Sequence, residues 1–481
     1  MALSTSSDAA LAAHRFGLGE PDLAVVGADA RGWLKAQIGP ADAQRGTALP
    51  SLAQALAVQI EARRQPGAAA NSPLRALVQA DLRARLVTAA TTPRPFAERL
   101  ALFWANHFTV SLGKGSTTGL VGAFEREAVR PHIAGRFADL LAAAVTHPAM
   151  LRYLDNHLSA GPQSRVVLRL QRRAAMAAAT SVNASAGADA LPPPRLTGLN
   201  ENLAREVLEL HTLGVTGGGD RHGPWGGYTQ ADVTALAAVL TGWRGPRPAD
   251  GAGSTVATDP ADPQSSFDAG WHQPGTKTVL GHTYAEGPRS LRAVLDDLAR
   301  RPSTARFIAT KLVRHLLADD PPPALVDRLA QRFTQTDGDL AAVYATLIDA
   351  PEAWSPTPAK LKTPEEFVLG SARLLRLGER LVARAPDAGL STLGQRPQAA
   401  PSPAGWPDRA VDWLGPEAVW QRLEWSVQVA DRLGASVDAR ALAQSSLGPL
   451  LAEATRQQIE RAADGPQALA LLLMAPEFQR R

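Results

Sequence analysis

"ALVDRLAQRF" (residues 324–333) sets the pattern from which the fold is read. Val326, Leu329, Ala330 and Phe333 recur at i, i+3, i+4 and i+7, the spacing that lays apolar side chains along one stripe of an α-helix. "SLAQALAVQIEARR" (51–64) repeats it, and Leu- and Ala-rich segments of the same kind recur throughout the chain. Aromatics make up only 5% and alternating β-branched runs are nearly absent. The expected fold is therefore mainly α, a large multi-helical domain with long loops. The one stretch with β character is "KTVLG" (277–281), a short hairpin at most.

With 481 residues the chain has room for two or three ordinary domains, or one large helical one. Its 40 Gly and 37 Pro punctuate it heavily, placing loops at 39–50, 64–73, 160–198, 216–227, 244–276 and 381–409. The small-residue, Pro-rich "MAAATSVNASAGADALPPP" (176–194) reads as a mobile insert within 165–198. Two helical halves are expected, 1–215 and 216–481, sharing one core. No internal repeat is visible.

Composition removes several function classes. The chain has 50 Lys and Arg against 46 Asp and Glu, a net +4, and no basic run. A nucleic-acid partner is not expected. The absence of Cys excludes disulfides, thiolate metal sites and a thiol nucleophile. The start, "MALSTSSDAALAAHRFGLGEP", lacks a basic region ahead of an apolar stretch, so no signal peptide is expected. No window approaches 18 uninterrupted apolar residues, so no transmembrane segment is expected either.

Chemistry-bearing residues concentrate in "LNENLAREVLELHTLGV" (199–215). Projected at 100° per residue, Asn202, Arg205, Glu206 and Glu209 share about one third of the circumference. Leu203, Ala204, Val207, Leu210 and His211 lie opposite. Glu206 and His211 therefore face apart, unlike the pair of a zinc-binding H-E-x-x-H helix or of a di-iron bundle. Two readings stand. The first is a solvated face whose Glu201–Arg205 and Arg205–Glu209 pairs give about 0.2–0.5 kcal/mol each, with Asn200 capping the helix and Gly214 ending it. The second is an enclosed polar face, where three carboxylates and one Arg need mutual pairing or a cation. His211 reads as a core histidine.

Other words supply further candidates. In "FWANHFTVS" (103–111) Asn106 and His107 sit amid Phe103, Trp104 and Phe108, so His107 is either buried with a hydrogen bond or presented at a cleft. Asp155 and Asn156, in "YLDNHLSAGPQS" (153–164), fit turn chemistry or the rim of a site with Ser159 or Ser164. No G-x-S-x-G elbow surrounds either serine. In "GGYTQADV" (226–233) Thr229 and Asp232 have capping-box spacing. "WHQPGTKTVLG" (271–281) puts His272 and Lys277 in a Pro/Gly loop. Trp406, Trp413, Trp420 and Trp425 are expected to pack a C-terminal helical core. The glycines at 217–219 and 223–227 lack the strand and helix that frame a nucleotide cradle.

Read in order, these words, with "HPAMLRYLDNHLSAGPQS" (147–164), "KTPEEFVLGSARLL" (362–375) and the closing "APEFQRR", resemble the bacterial family catalogued as domain of unknown function 1800. The resemblance spans roughly residues 10–481. It implies a bacterial protein, often exported to the periplasm. It also implies a genetic neighbour in another family, numbered 1501, which looks like the sulfatases and is the implied partner. It brings no reaction. Two departures stand out: the missing export signal, and Gln273 where the family pattern has Asp.

Two functions follow as expectations. One is a metal-assisted enzyme, a hydrolase or oxidoreductase, with a polar cleft on the 200–213 helix. Glu206, Glu209, Arg205 and His107 would be catalytic, and Asn106, Asp155, Asn202 and Lys277 would bind substrate. A divalent metal ion would be the cofactor, held by His107, Glu206 and His272. The alternative is a non-catalytic scaffold or binding partner of a sulfatase-like protein.

Overall fold

The computed structural model describes residues 7–46, 49–64, 73–181, 198–214, 227–245 and 267–481. Among them are 21 α-helices and one two-stranded antiparallel ribbon, so the fold is mainly α as the periodicity requires. The helix Pro323–Gln335 buries Val326, Leu329 and Phe333 of the stripe read from the sequence, with Leu325 buried in place of the half-buried Ala330, and begins on a proline whose missing N–H costs nothing there. The ribbon pairs Lys277–Val279 with His282–Tyr284. Its turn residues Leu280 and Gly281 have φ of 50° and 84°, the left-handed pair that a tight hairpin needs. No described helix is long and apolar enough to cross a membrane.

One expected loop is a helix. Residues Arg165–Ser181 form a 17-residue α-helix where 160–198 had been read as a connection. Ala, Arg, Leu and Gln are strong helix formers, and the Val167 N–H donates to Ser164 Oγ at 3.4 Å to start it. The remainder of that stretch, 182–197, lies outside the described residues, as do the glycine-rich 217–219 and most of 223–227.

The described residues fall into two compact units. The first comprises Met1–Gly113, Thr118–Leu140 and Ala305–Arg481; the second comprises Lys114–Thr117 and Leu141–Thr304.

In the first unit the helix Pro364–Leu374 runs through the core, buried on nearly every side. Phe367, Leu369 and Leu374 pack with Leu86, Leu390, Leu447, Leu469, Leu472 and Phe478. Each such side chain contributes about 1.5–3 kcal/mol on burial. The helices Pro416–Leu433 and Gly465–Met474 close against this core. A Cβ on Gly434 would stand 2.4 Å from Pro466 Cα, so only glycine permits that approach.

The four tryptophans divide. Trp413 is buried, and Trp425 packs edge-on against Phe367 at 5.1 Å. Trp406 is half-buried beside Trp413. Trp420 is 56% exposed, which corrects the expectation that it packs a core. Its helix is apolar on two sides; the side turned inward packs Trp425, Val429 and Leu433 on the core around the buried Arg422, Ser426 and Ala430. Val419, Trp420, Leu423 and Val427 are left outward.

In the second unit Leu203, Val207, Leu208, Val233, Leu236, Leu240, Leu291 and Leu295 are buried. Thr229 and Asp232 make the capping box that their spacing announces. The other oxygen of Asp232 accepts from Leu280 N–H at 2.8 Å, tying the hairpin turn to this helix start.

Candidate functional site

The acidic helix is capped by Glu201, which makes no side-chain cap bond, and not by Asn200 as expected. Asn200 Oδ1 accepts from Asn202 N–H at 2.9 Å just ahead of it, and Gly214, at φ 87°, follows its last turn. From Val207 to Thr212, however, the helix widens to a π-helix, with Leu213 N–H reaching Leu208 O. The wider turn breaks the 100° projection: Leu208 is buried, while Leu210, placed on the apolar side by that projection, is half-buried. π-Turns of this kind recur at functional sites.

Asn202 and Arg205 are exposed, Glu206 and Glu209 half-buried, and His211 buried. Of the two expected ion pairs, Glu201–Arg205 is present at 3.5 Å, while Arg205 also donates to Gln230 Oε1 at 3.0 Å. Burial, then the Glu209 carboxylate, raises the Glu206 carboxyl above its ordinary value, against the pull of Arg205. Burial and the Glu206 charge push the Tyr153 hydroxyl up to about 12, and burial and Glu209 raise Tyr228. This face is thus half-buried and anionic, with two tyrosines beside it.

His272 and Lys277 hold each other. His272 Nδ1 lies 2.7 Å from Thr241 O, so it carries the proton, and Nε2 accepts from Lys277 Nζ at 2.9 Å. Lys277 also donates to Gln273 O. Both ring nitrogens are therefore used within the protein. Gln273 in turn clasps Gln163, its Oε1 accepting from Gln163 N–H at 3.0 Å. Asp155 adopts φ 59° and pairs with Lys114. Asn156, buried, donates to Leu240 O and Trp243 O at 3.0 and 2.8 Å, long-range bonds that tie this stretch to the end of the Gln230–Leu240 helix.

His107 belongs to the first unit, and Glu206 and His272 to the second. Among the described residues no three His, Asp or Glu side chains gather as a metal-ligand group.

The first unit contains a cavity of about 200 Å³, and Asn106 and His107 both line it. The helix Pro95–His107 buries Phe96, Leu100 and Trp104 and delivers these two residues at its end. Asn106 holds the opposite wall: Nδ2 donates to Trp406 O at 2.9 Å, and Trp406 N–H donates to Oδ1 at 2.8 Å. His107 is buried, with the rings of Trp104 and Phe108 edge-on to it.

The charges around this cavity are unevenly satisfied. Glu366 accepts from Arg481 at 2.6 Å and from Arg99, and from Thr363 N–H as the third residue of a capping box. Burial alone would raise its carboxyl, but Arg481 and Arg99 hold it well below the usual range. Glu365 and Glu125 are both taken by Arg85. The surplus lies on the cationic side. Lys311 and Arg314 line the cavity one helical turn apart, on the helix Pro302–Leu316. Among the described residues Lys311 has no ion pair or hydrogen bond, and Arg314 spends only Nε, on Asp319 O at 3.2 Å. Burial, opposed by Asp408 and aided by Arg314, brings the Lys311 amine down to about 8.

His315, the next residue on that face, lies 4.0 Å from both Glu366 and Asp408. Burial and then Arg481 push its ring well below its ordinary value, so it is neutral, and its buried Nε2 lacks a hydrogen bond. Trp406 Nε1–H, also buried, is another donor without an acceptor. Buried donors left open cost about 1–3 kcal/mol each, which an anionic ligand would recover.

Sequence reading singled out Asn106 and His107 but missed Lys311, Arg314, His315, Glu366 and Asp408. The first three stand at i, i+3 and i+4 in "KLVRHL" (311–316), a polar cluster on one helix face that periodicity exposes. "TPEE" (363–366) carries capping-box spacing. Nothing in the chain marks Asp408.

Compared with known proteins, the chain matches at residues 11–480 the model of a family described as protein of unknown function (DUF1800). No curated protein and no solved structure matches it.

Proposed function

Because the chain belongs to the DUF1800 family, whose description assigns no reaction, we propose from geometry that the cavity of the first unit is an active site for a small anionic molecule. The observation that carries this is the excess of open donors on its wall. Lys311 and Arg314 would hold the anion, while His315 supplies a neutral imidazole and His107 a buried ring beside it. Of the nearby carboxylates, Glu125, Glu365 and Glu366 are consumed by Arg85, Arg99 and Arg481, and Asp408 faces Lys360 at 3.9 Å, which limits their repulsion of it.

Thermal denaturation with phosphate, sulfate, acetate and pyruvate tests this reading. An anion that binds the folded state stabilises it by RT ln(1 + [L]/Kd), so a bound anion raises the Tm. The shift should vanish in the double variant Lys311→Met, Arg314→Gln. Equal shifts in both proteins, or none in either, would overturn the assignment.

A second reading, metal-assisted catalysis at the 200–213 helix, is supported by one observation. Burial and then the Glu209 carboxylate raise the cost of ionising Glu206 on a half-buried face, and a divalent cation would relieve that. Elemental analysis of the purified chain and of Glu206→Gln tests it. Equal metal content in the two would remove Glu206 as a ligand.

A further inference from the structure

Resting on the anion-site reading, we infer that Lys311 is a reactive amine that condenses with the carbonyl of a small oxo acid, whose carboxylate is held by Arg314. The chain has only six lysines, and four are engaged by polar partners. Lys35 pairs with Asp349, Lys114 with Asp155 and Lys360 with Asp319. Lys277 is spent on His272 and Gln273, while Lys362, whose buried Nζ has no hydrogen bond, lies over the Phe478 ring and does not line the cavity. Lys311 is the lysine that lines the cavity, its amine 5.6 Å from the Phe307 ring and without an ion pair or hydrogen bond among the described residues.

Its surroundings suit a nucleophile. Burial, and to a lesser degree the Arg314 guanidinium, favour the neutral amine against the pull of Asp408, the arrangement by which lysines are activated toward carbonyl compounds. With the amine at about 8, roughly one molecule in ten carries the free base at pH 7. The Lys311 lone pair attacks the carbonyl carbon to give a carbinolamine. That hydroxyl then takes a proton and leaves as water, the nitrogen loses its remaining proton, and a C=N bond stands where C=O was. No oxidant or reductant is consumed. Asp408 and His315, 4.0 Å apart on the same wall, are the groups placed to move these protons. Arg314, one turn from Lys311, presents two uncommitted N–H ends that match a carboxylate.

The test traps the adduct. The full chain is incubated at pH 7 with pyruvate and sodium cyanoborohydride, which reduces the imine to a stable secondary amine, and its peptides are then mapped by mass spectrometry. Lys311 should carry the adduct about tenfold more than the exposed Lys35, and Arg314→Gln should cut it by a similar factor, the loss expected for one charge-assisted pair. Labelling of Lys311 no greater than that of Lys35 would overturn the inference. Thermal shift by pyruvate without reductant separates the two claims. A shift with no Lys311 adduct leaves the anion site standing and removes the imine; neither shift nor adduct removes both.

Discussion

Asn106 grips Trp406 through both of its amide atoms, at 2.9 Å and 2.8 Å across 300 residues of chain. This is the contact that fixes the 405–408 segment as a cavity wall. Asn106→Ala should lower stability by about 1–3 kcal/mol, two neutral hydrogen bonds' worth. Asn106→Asp should cost no less, because a carboxylate would then face the Trp406 carbonyl. Urea unfolding of the two variants measures both effects.

The Arg99–Glu366–Arg481 cluster predicts a larger loss. Glu366→Gln would leave two buried guanidinium groups without their counter-charge, and breaking such a cluster costs about 3–5 kcal/mol. A midpoint shift in guanidinium chloride equivalent to less than ~1 kcal/mol would contradict the pairing described above.

Stability should rise with pH above neutrality. Burial, then Arg99, holds the Lys362 amine at about 7 in the folded chain against an ordinary 10.5. Between those values the unfolded chain binds the extra proton, so unfolding becomes harder as the pH climbs from 7 toward 10.5. Lys362→Met should flatten that slope and stabilise the protein at pH 7. His14, brought to about 3 by burial and by Lys362, acts in the same direction at lower pH. It destabilises the fold as pH drops from 6.5 toward 3. Denaturant midpoints measured across pH 4–10 for the parent and the variant give both slopes.

In the second unit, Asp232→Ala would remove a helix cap and the hairpin tether together. A cap is worth about 0.5–2 kcal/mol. The amide of Leu280, which donates to Asp232, should lose hydrogen-exchange protection while amides deep in the Gln230–Leu240 helix keep theirs. Unchanged exchange at Leu280 would show that the hairpin is held by other contacts.

Local patterns were legible in the sequence. The helix at 324–333, the ribbon at 277–284, the Thr229 box and the Gly214 end each depend on residues within a few positions of one another. What periodicity could not supply was partnership. Glu366 meets Arg99 and Arg481 from 267 and 115 residues away, and only folding reveals which of the many Glu and Arg side chains are spent on each other. Trp420 shows the same limit: a helix with apolar residues on two sides does not say which side turns inward. Asn106 and His107 were found because polar residues amid aromatics are conspicuous, whereas Lys311 hides in an ordinary amphipathic helix.

Three helices in the described chain, at Ala12–Phe16, Glu125–Val129 and Val207–Thr212, loosen into π-turns. A π-turn spends one residue more than an α-turn to climb the same axis. Such places are built-in slack for changes of length. A one-residue deletion within 207–212 would tighten the spiral into an ordinary coil without tearing it. The same deletion in Pro364–Leu374, which has no slack and no free side, would tear the interior apart.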